Sequence, residues 1–379
     1  MKIGFDAKRI YHNRTGLGNY SRDLVRIMSE YHPNNSYLLY NPKEAKNNLF
    51  SHSSDNVIEK RPKSRFHKTF YNLWRQKSVC KDIMSDKIDV FHGLTGEIPI
   101  GIQKTGIPAV VTIHDLIFLR YPHFYSVFDR YIHKLKAQYA VNNADAVVAV
   151  SQQTKQDIID FFGVEPGKIR VVYQGCQDVF KEVFPSSEVV ATIKKYGLPQ
   201  RYFLNVGTIE ERKNILSVVA ALKGREENLV IIGSETEYTQ KVKAYIQVHG
   251  MENRVFFPKG VSSRDLAIIY QGADIFLYPS LFEGFGIPII EALNCGVPVI
   301  TSRGGCFGEA GGPNSLYVDS SKVGEIRSAI DRIMGDIGLR EKMITEGRSY
   351  AQRFNKANIA NEFGAIYNQI IKKEPNLNS

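Results

Sequence analysis

Glu283 and Glu291 stand with seven residues between them in the stretch PSLFEGFGIPIIEALNCGVPVIT, 279–301, and those intervening residues invite close backbone approach. Gly284, Phe285 and Gly286 follow the first carboxylate, Pro288 suits the start of a helix, and Gly296 suits its end. Glu291 is expected in the first turn of that helix. Carboxylates accept hydrogen bonds from sugar or ribose hydroxyls, while the unpaired N–H groups of a helix start can hold phosphate oxygens. Together they suit a nucleotide sugar.

A second cluster lies upstream in VGTIEERKN, 206–214, where an apolar run ends at Gly207 and Arg212 and Lys213 precede the helical period of Ile215, Val218, Val219 and Leu222. Adjacent cations at a strand's carboxyl end suit a pyrophosphate: Arg binds it bidentately and Lys acts as a mobile point charge. A solvated surface pair is the plainer alternative. Gly16 and Gly18 in RTGLGNYSRDLVRIM form a third candidate, a glycine loop opening a helix marked by Tyr20, Leu24, Ile27, Met28 and Tyr31. Such a loop lets backbone N–H groups approach an anion. It is not a dinucleotide fingerprint, because Ser21 occupies the sixth position and the first strand ends too far upstream. An ordinary flexible turn is the alternative.

Elements that would position these residues recur along the chain. Short β-branched runs at 2–6, 90–92, 109–114, 146–150 and 170–173, then 203–207, 229–233, 255–257, 275–278, 298–301 and 316–318, alternate with helical periodicity. That is the signature of parallel sheets covered by helices, an α/β class. So many strands suit two doubly wound domains better than one open sheet. The expected domains are 1–178 and 179–356, with a seam near Gln174–Pro185 and a last helix, about 357–379, able to pack on either.

Composition narrows the function classes. The 379 residues are 43% hydrophobic and 23% charged, which excludes disordered, collagenous and low-complexity chains. Cys80, Cys176, Cys295 and Cys306 are too scattered for a disulfide framework or a zinc ribbon, which suits a reducing cytoplasm. The chain has neither the apolar run of a signal peptide at MKIGFDAKRI nor a membrane-spanning stretch, and no Asp-x-Asp or clustered His motif signals a metal. Of the net charge of +10, residues 1–185 hold 26 basic and 18 acidic groups, so the N-terminal half should meet any large anion. Residues 60–87 concentrate this: nine Lys and Arg interleaved with Phe66, Phe70, Leu73 and Trp74 at helical spacing. Such a helix can rest on an anionic membrane, or its aromatics can be core. Nucleic-acid recognition is not expected, because no RNA or DNA module signature accompanies the stretch.

The Glu-x7-Glu segment with its GFG and Pro resembles the donor-site motif of glycosyltransferase family 4, retaining enzymes of the GT-B fold. The likeness extends in order to the glycines at 16–18, His114 in VVTIHDLIFLRYP, Arg212 with Lys213, and FFPKGV at 256–261. It implies two Rossmann-like doubly wound domains facing each other across a cleft, with acceptor on the first and nucleotide sugar on the second. Glu291 is then similar to the ribose-binding glutamate, and Glu283 to the one holding the transferred hexose. Gly284, Phe285 and Gly286 would line sugar and diphosphate, and Arg212 and Lys213 would neutralise the leaving diphosphate. Gly207, Gly260 and Val261 would belong to the donor site, with Gly16 and Gly18 approaching the phosphates from the other domain. His114 would lie beside the reacting sugar, and Asp115 is typical of mannosyltransferases; a satisfied strand-end histidine is the alternative for His114.

Two positions depart from the pattern: Thr208 stands where some members have Arg, and Gln174-Gly175 where Asn-Gly is usual. The expected reaction is retaining α-mannosyl transfer from GDP-mannose to a lipid-linked or oligosaccharide acceptor in bacterial O-antigen or capsule synthesis. No cofactor and no metal are expected, and the site is cytoplasmic, at most peripheral on the inner membrane face. A UDP-hexose or dTDP-rhamnose donor is the alternative within the class. A nucleotide-sugar 2-epimerase of the same fold is the alternative outside it.

Overall fold

A computed structural model describes residues 1–46, 49–52 and 54–372. The chain divides into two units, Met1–Gln174 with the segment from Asn355 onward, and Gly175–Phe354. The division falls at Gln174, four residues earlier than the expected boundary, and residues 373–379 of the expected last helix lie outside the described residues.

In the first unit the strands are β1 (Lys2–Asp6), β2 (Ser36–Tyr40), β3 (Val57–Lys60), β4 (Val90–Gly93), β5 (Ala109–Ile113), β6 (Ala146–Ala149) and β7 (Ile169–Val171). They form one parallel sheet in the order β3-β2-β1-β4-β5-β6-β7. Strands β2 and β3 were not expected. β2 reads SYLLY, and all but its first residue are buried on both faces of the sheet, so it lacks the alternation that marks a half-exposed strand. Its side chains divide between two cores, Tyr37 and Leu39 on one face, Leu38 and Tyr40 on the other.

Helix Lys356–Lys372 returns to this unit. Its Ile359, Phe363, Ile366, Tyr367 and Ile370 share a core with Ile3, Phe5, Leu24 and Met28, which settles where the last apolar period packs. Polar groups are satisfied in the same core. His92 contacts Tyr367 Oη through Nδ1 at 2.7 Å and Thr112 Oγ1 through Nε2 at 2.8 Å.

The segment 60–87 is not one helix. Helix Arg65–Thr69 ends at Phe70, whose φ of −97° and ψ of 53° interrupt it, and a short turn and a π-helical turn lead to helix Val79–Asp86. The helical period therefore fails at Trp74, which is 1% exposed and donates Nε1–H to Asp82 Oδ2 at 2.6 Å. Phe66, Phe70 and Leu73 are about half exposed. Arg75 is equally unlike a solvated cation, because it is buried in ion pairs with Asp6 and Glu97.

The second unit contains β8 (Phe203–Val206), β9 (Leu229–Ile232), β10 (Val255–Phe256), β11 (Ile275–Tyr278), β12 (Val299–Ser302) and β13 (Leu316–Val318). All pair in parallel, in the order β10-β9-β8-β11-β12-β13. The order reverses between β8 and β11. Chains leaving such neighbouring strands depart to opposite faces, and the crevice beyond their carboxyl ends is where open α/β sheets bind ligands.

Candidate active site

The reversal in the second unit brings Arg212, Lys213 and Glu283 together out of the expected donor residues. The chain leaving β8 turns at Gly207, with φ of 143°, runs through a short turn at Glu211–Lys213 and enters helix Ile215–Ala221. The chain leaving β11 passes through Glu283 into helix Ile287–Asn294, which Gly286 opens with φ of 125°. Backbone and side chain tie the two segments: Leu281 N donates to Arg212 O at 2.8 Å, and Asn214 Nδ2 to Pro279 O at 3.1 Å.

Glu283 is 9% exposed and lies between two cations. Its Oε1 is 2.7 Å from Lys213 Nζ, its Oε2 is 2.7 Å from Arg212 Nη1, and Tyr278 Oη donates to Oε1 at 3.0 Å. Burial alone would raise the pKa of this carboxyl, but the charges of Lys213 and Arg212 outweigh it and hold the value down at about 2. Glu283 is thus a permanent anion that accepts hydrogen bonds and has no proton to give at neutral pH. Arg212 also donates to Phe282 O at 2.7 Å and pairs with Glu210, yet its guanidinium has more N–H donors than these contacts use.

The glycine-rich loop is held from behind. Cys306 Sγ lies 3.2 Å from Glu283 O and 2.8 Å from Phe285 O, and burial raises this thiol well above the ordinary range. The Phe285 ring is buried edge-on against Phe354, so it anchors the loop. Sequence reasoning missed Tyr278 and Cys306, because neither a strand tyrosine nor a lone cysteine signals a site until the reversal places it there.

Glu291 departs from expectation. Helix Ile287–Asn294 begins one residue before Pro288, so Glu291 falls past the first turn. Its Oε2 accepts from Tyr270 Oη at 3.1 Å, apart from the contacts that join Arg212, Lys213 and Glu283. Gly260 and Val261 follow β10, where Tyr196 Oη donates to Gly260 O at 3.4 Å.

Gly16, Gly18, His114 and Asp115 belong to the first unit. Helix Gly16–Tyr31 starts at Gly16 itself, so both glycines lie in its first turn and not in a loop ahead of it. Gly18 is required by contact, since a Cβ there would stand 2.0 Å from Asn13 O; Gly16 has open space. Tyr20 on this helix packs edge-on against His114 with ring centroids 4.5 Å apart, so helix and histidine share one site. His114 follows the carboxyl end of β5. Its Nε2 contacts Leu94 O at 2.9 Å and its Nδ1 contacts Gln174 Nε2 at 3.0 Å. Burial lowers its pKa to about 4, so the ring is neutral at pH 7. Asp115 Oδ1 accepts from Ile117 N at 3.2 Å, within its own turn.

Among the described residues no group of three or more His, Cys, Asp or Glu side chains is arranged to hold a metal ion, and no helix is long and apolar enough to cross a membrane.

Known proteins resemble the chain in sequence and in fold. The family model described as Glycosyltransferase Family 4 matches residues 38–178, and the model described as Glycosyl transferases group 1 matches residues 191–350. O-antigen chain mannosyltransferase B of Escherichia coli is 26% identical over 375 residues, covering 94% of this chain and 97% of that protein. Sucrose-phosphate synthase of Thermosynechococcus elongatus superposes with a TM-score of 0.77 at 20% identity, covering 99% of this chain and 100% of that one. HepE of Anabaena, solved with UDP and glucose, superposes at 0.74 with 18% identity, covering 97% and 99%. These neighbours share the GT-B architecture of two doubly wound units. With a family 4 region in its first unit and a group 1 region in its second, the chain belongs to the family 4 glycosyltransferases.

Proposed function

We propose that this glycosyltransferase is a retaining, metal-independent mannosyltransferase that moves α-mannose from GDP-mannose to a glycan or polyprenyl-linked acceptor of a bacterial O-antigen or capsule. The observation that carries the reading is Glu283 held as an anion between Arg212 and Lys213 at the strand reversal of the second unit. Mannose draws its support from the O-antigen mannosyltransferase relative, which matches nearly end to end.

The cluster is suited to differential stabilisation of a breaking glycosidic bond. Negative charge grows on the leaving diphosphate, where Arg212 and Lys213 present N–H donors beyond those engaged with Glu283. Their fixed charges would do there what a divalent cation does in metal-dependent enzymes. Glu283 has an acceptor position left on Oε2 for a hexose hydroxyl, and Glu291 is assigned the ribose. Glu283 already has its charge neutralised by two cations, which makes it a poor nucleophile. We therefore assign front-face displacement, in which the acceptor oxygen bonds to the anomeric carbon as the bond to phosphate breaks, and the leaving phosphate takes the acceptor's proton. Trapping a glycosyl adduct on Glu283 would overturn that assignment.

The acceptor's lipid would bring the first unit to an anionic membrane. Phe66, Phe70 and Leu73 support this contact, as does a second surface on helix Val127–Asn143, where Val127, Phe128, Tyr131 and Leu135 are 76%, 73%, 60% and 47% exposed. Arg130 and Lys134 flank that stripe against a single Asp129, the charge balance that an anionic lipid surface complements.

The test of the donor is thermal stabilisation by GDP, UDP, dTDP and GDP-mannose, with and without EDTA, because a ligand of the native state raises its apparent stability. A response to GDP species that EDTA leaves intact supports the proposal. A response to UDP or dTDP alone reassigns the donor, and loss on EDTA treatment overturns metal independence.

A further inference from the structure

Asn214 adjoins Lys213 and holds a backbone conformation that few side chains accept. Its φ of 55° and ψ of 34° place it in the left-handed region, between the turn Glu211–Lys213 and helix Ile215–Ala221. Asn tolerates this region better than most residues, because its short polar side chain can hydrogen-bond locally. Here Oδ1 accepts from Ser217 Oγ at 2.7 Å. Nδ2 faces two carbonyls, Pro279 O at 3.1 Å and Ser320 O at 2.7 Å, which can only accept. Both amide hydrogens are therefore engaged, and the orientation of the amide follows from its partners.

The carbonyls it reaches belong to the strand exits around the donor cluster. Pro279 lies between β11 and Glu283, and three consecutive carbonyls of this exit are each held by a side chain from another element. Thr301 Oγ1 donates to Tyr278 O at 2.9 Å, Asn214 to Pro279 O, and Ser302 Oγ to Ser280 O at 2.5 Å. Thr301 and Ser302 lie on β12 and fix the exit against the sheet. Asn214 fixes it against the segment that bears the cations, and through Ser320 it also reaches the exit of β13. Arg212 bridges the same segments through Phe282 O and Leu281 N, but its guanidinium is assigned to the diphosphate. Asn214 is neutral and has no charge with which to follow an arriving anion.

We propose that Asn214 is a positioning residue for glycosyl transfer: its left-handed turn aims Lys213 at Glu283, and its amide sets the spacing of the two segments that carry them. The proposal deepens the reading of Arg212 and Lys213 as the cations that meet the leaving diphosphate, and rests on it. Lys213 Nζ is held 2.7 Å from Glu283 Oε1 and 2.6 Å from Tyr278 Oη, contacts short enough to be lost by a small backbone shift. A lysine side chain has many rotamers, so this placement depends on where its backbone is anchored. Charge stabilisation in a transition state requires donors that are already in place when the charge appears.

The experiment compares N214G, which accepts the turn but lacks the amide, with N214D, which keeps size and turn but presents a carboxylate to two carbonyl oxygens. Full-length protein is assayed for GDP affinity by calorimetry and for kcat and KM with GDP-mannose. Carbon NMR of glutamate-labelled protein follows the Glu283 carboxyl, identified in E283Q. Both variants are expected to lose ~10²-fold in kcat, the scale of a misplaced reacting group. GDP affinity and KM should change far less, because Arg212 and Lys213 are still present. The Glu283 titration is expected to move upward and kcat to gain an acid limb, because a loosened Lys213 opposes the effect of burial less. N214A lacks the amide and also disfavours the turn, so it should fall below N214G; equality of the two would overturn the role given to the turn. Variants that melt earlier yet keep the wild-type kcat, pH profile and Glu283 titration would show a structural tether only and overturn the proposal. If wild type transfers nothing from GDP-mannose, the donor reading fails, and the Glu283 titration alone decides whether Asn214 places Lys213.

Discussion

Lys213 Nζ and Glu283 Oε1 lie 2.7 Å apart, and Tyr278 Oη is 2.6 Å from the same ammonium, so the cation proposed for the donor's phosphate already compensates the carboxylate proposed for its sugar. Free enzyme and complex therefore share cations between two anions, and removing either partner affects both binding and turnover.

Replacing Glu283 with Gln separates those effects. The amide keeps the shape but loses the charge, so Arg212 and Lys213 lose the anion that competes with phosphate. Calorimetric titration is expected to show GDP binding at least as tightly to E283Q as to wild type. Transfer is expected to fall ~10²-fold or more, a few kcal/mol of lost transition-state stabilisation. Weaker GDP binding with normal turnover would remove Glu283 from the sugar site.

Lys213 sets the ionisation of its partner. With K213M the burial that raises the Glu283 pKa persists while the first of the opposing charges is gone, so the value moves up from about 2 toward the ordinary range. The pH dependence of kcat is expected to gain an acid limb absent from wild type, and GDP affinity is expected to drop and to lose part of its salt dependence. An unchanged acid side would show that Arg212 alone holds the carboxylate ionised.

The same depressed value carries a stability consequence with a definite sign. Folded Glu283 titrates at about 2 against an ordinary 4.5, so its contribution is complete above pH 4.5 and is lost as pH falls toward 2. Urea midpoints measured between pH 5 and pH 3 are expected to fall more steeply for wild type than for E283Q. Parallel curves would mean that the ion cluster does not form in solution.

Membrane contact is tested by replacing Phe128 and Tyr131 with Ser, which removes exposed apolar surface without touching a core. Wild-type protein is expected to sediment with vesicles of anionic phospholipid at low salt, and the double variant is expected to remain largely in the supernatant. Transfer to a short soluble acceptor should be the same for both. Sedimentation that survives the substitutions would leave the Phe66–Phe70 surface as the contact; no sedimentation of wild type would end the membrane proposal.

Much of this site is legible in the sequence for a physical reason. Glu283, Arg212 and Lys213 each follow a β-branched run directly, and parallel sheets bind ligands just past strand ends, so position along the chain already implies position in the site. Strand β11 was read to the residue because Ile275–Tyr278 is flanked by clear breaks. What escaped depends on partners distant in sequence. Gln174 reads as a linker residue until His114 is found 3.0 Å away, and Trp74 reads as part of a surface stripe until Asp82 and the core claim it. Helical period alone cannot reveal that the helix breaks at Phe70, since that depends on ψ at one residue.

The last helix is structural, and Tyr367 tests it. Its hydroxyl contacts His92 Nδ1 at 2.7 Å in a fully buried setting, and burial with the nearby charge of His114 lowers the pKa of His92 to about 3. A neutral His92 that also contacts Thr112 is therefore an obligatory part of the folded first unit. Y367F removes one partner and leaves a buried ring nitrogen unpaired, a cost of about 1–3 kcal/mol. F363A, which opens a cavity in the same core, is expected to cost about 3–5 kcal/mol. Both should lower the melting temperature while GDP affinity stays at the wild-type value, because the donor cluster draws every one of its side chains from Gly175–Phe354. Weakened GDP binding in stably folded Y367F would show that the first unit shapes the donor site, contrary to that assignment.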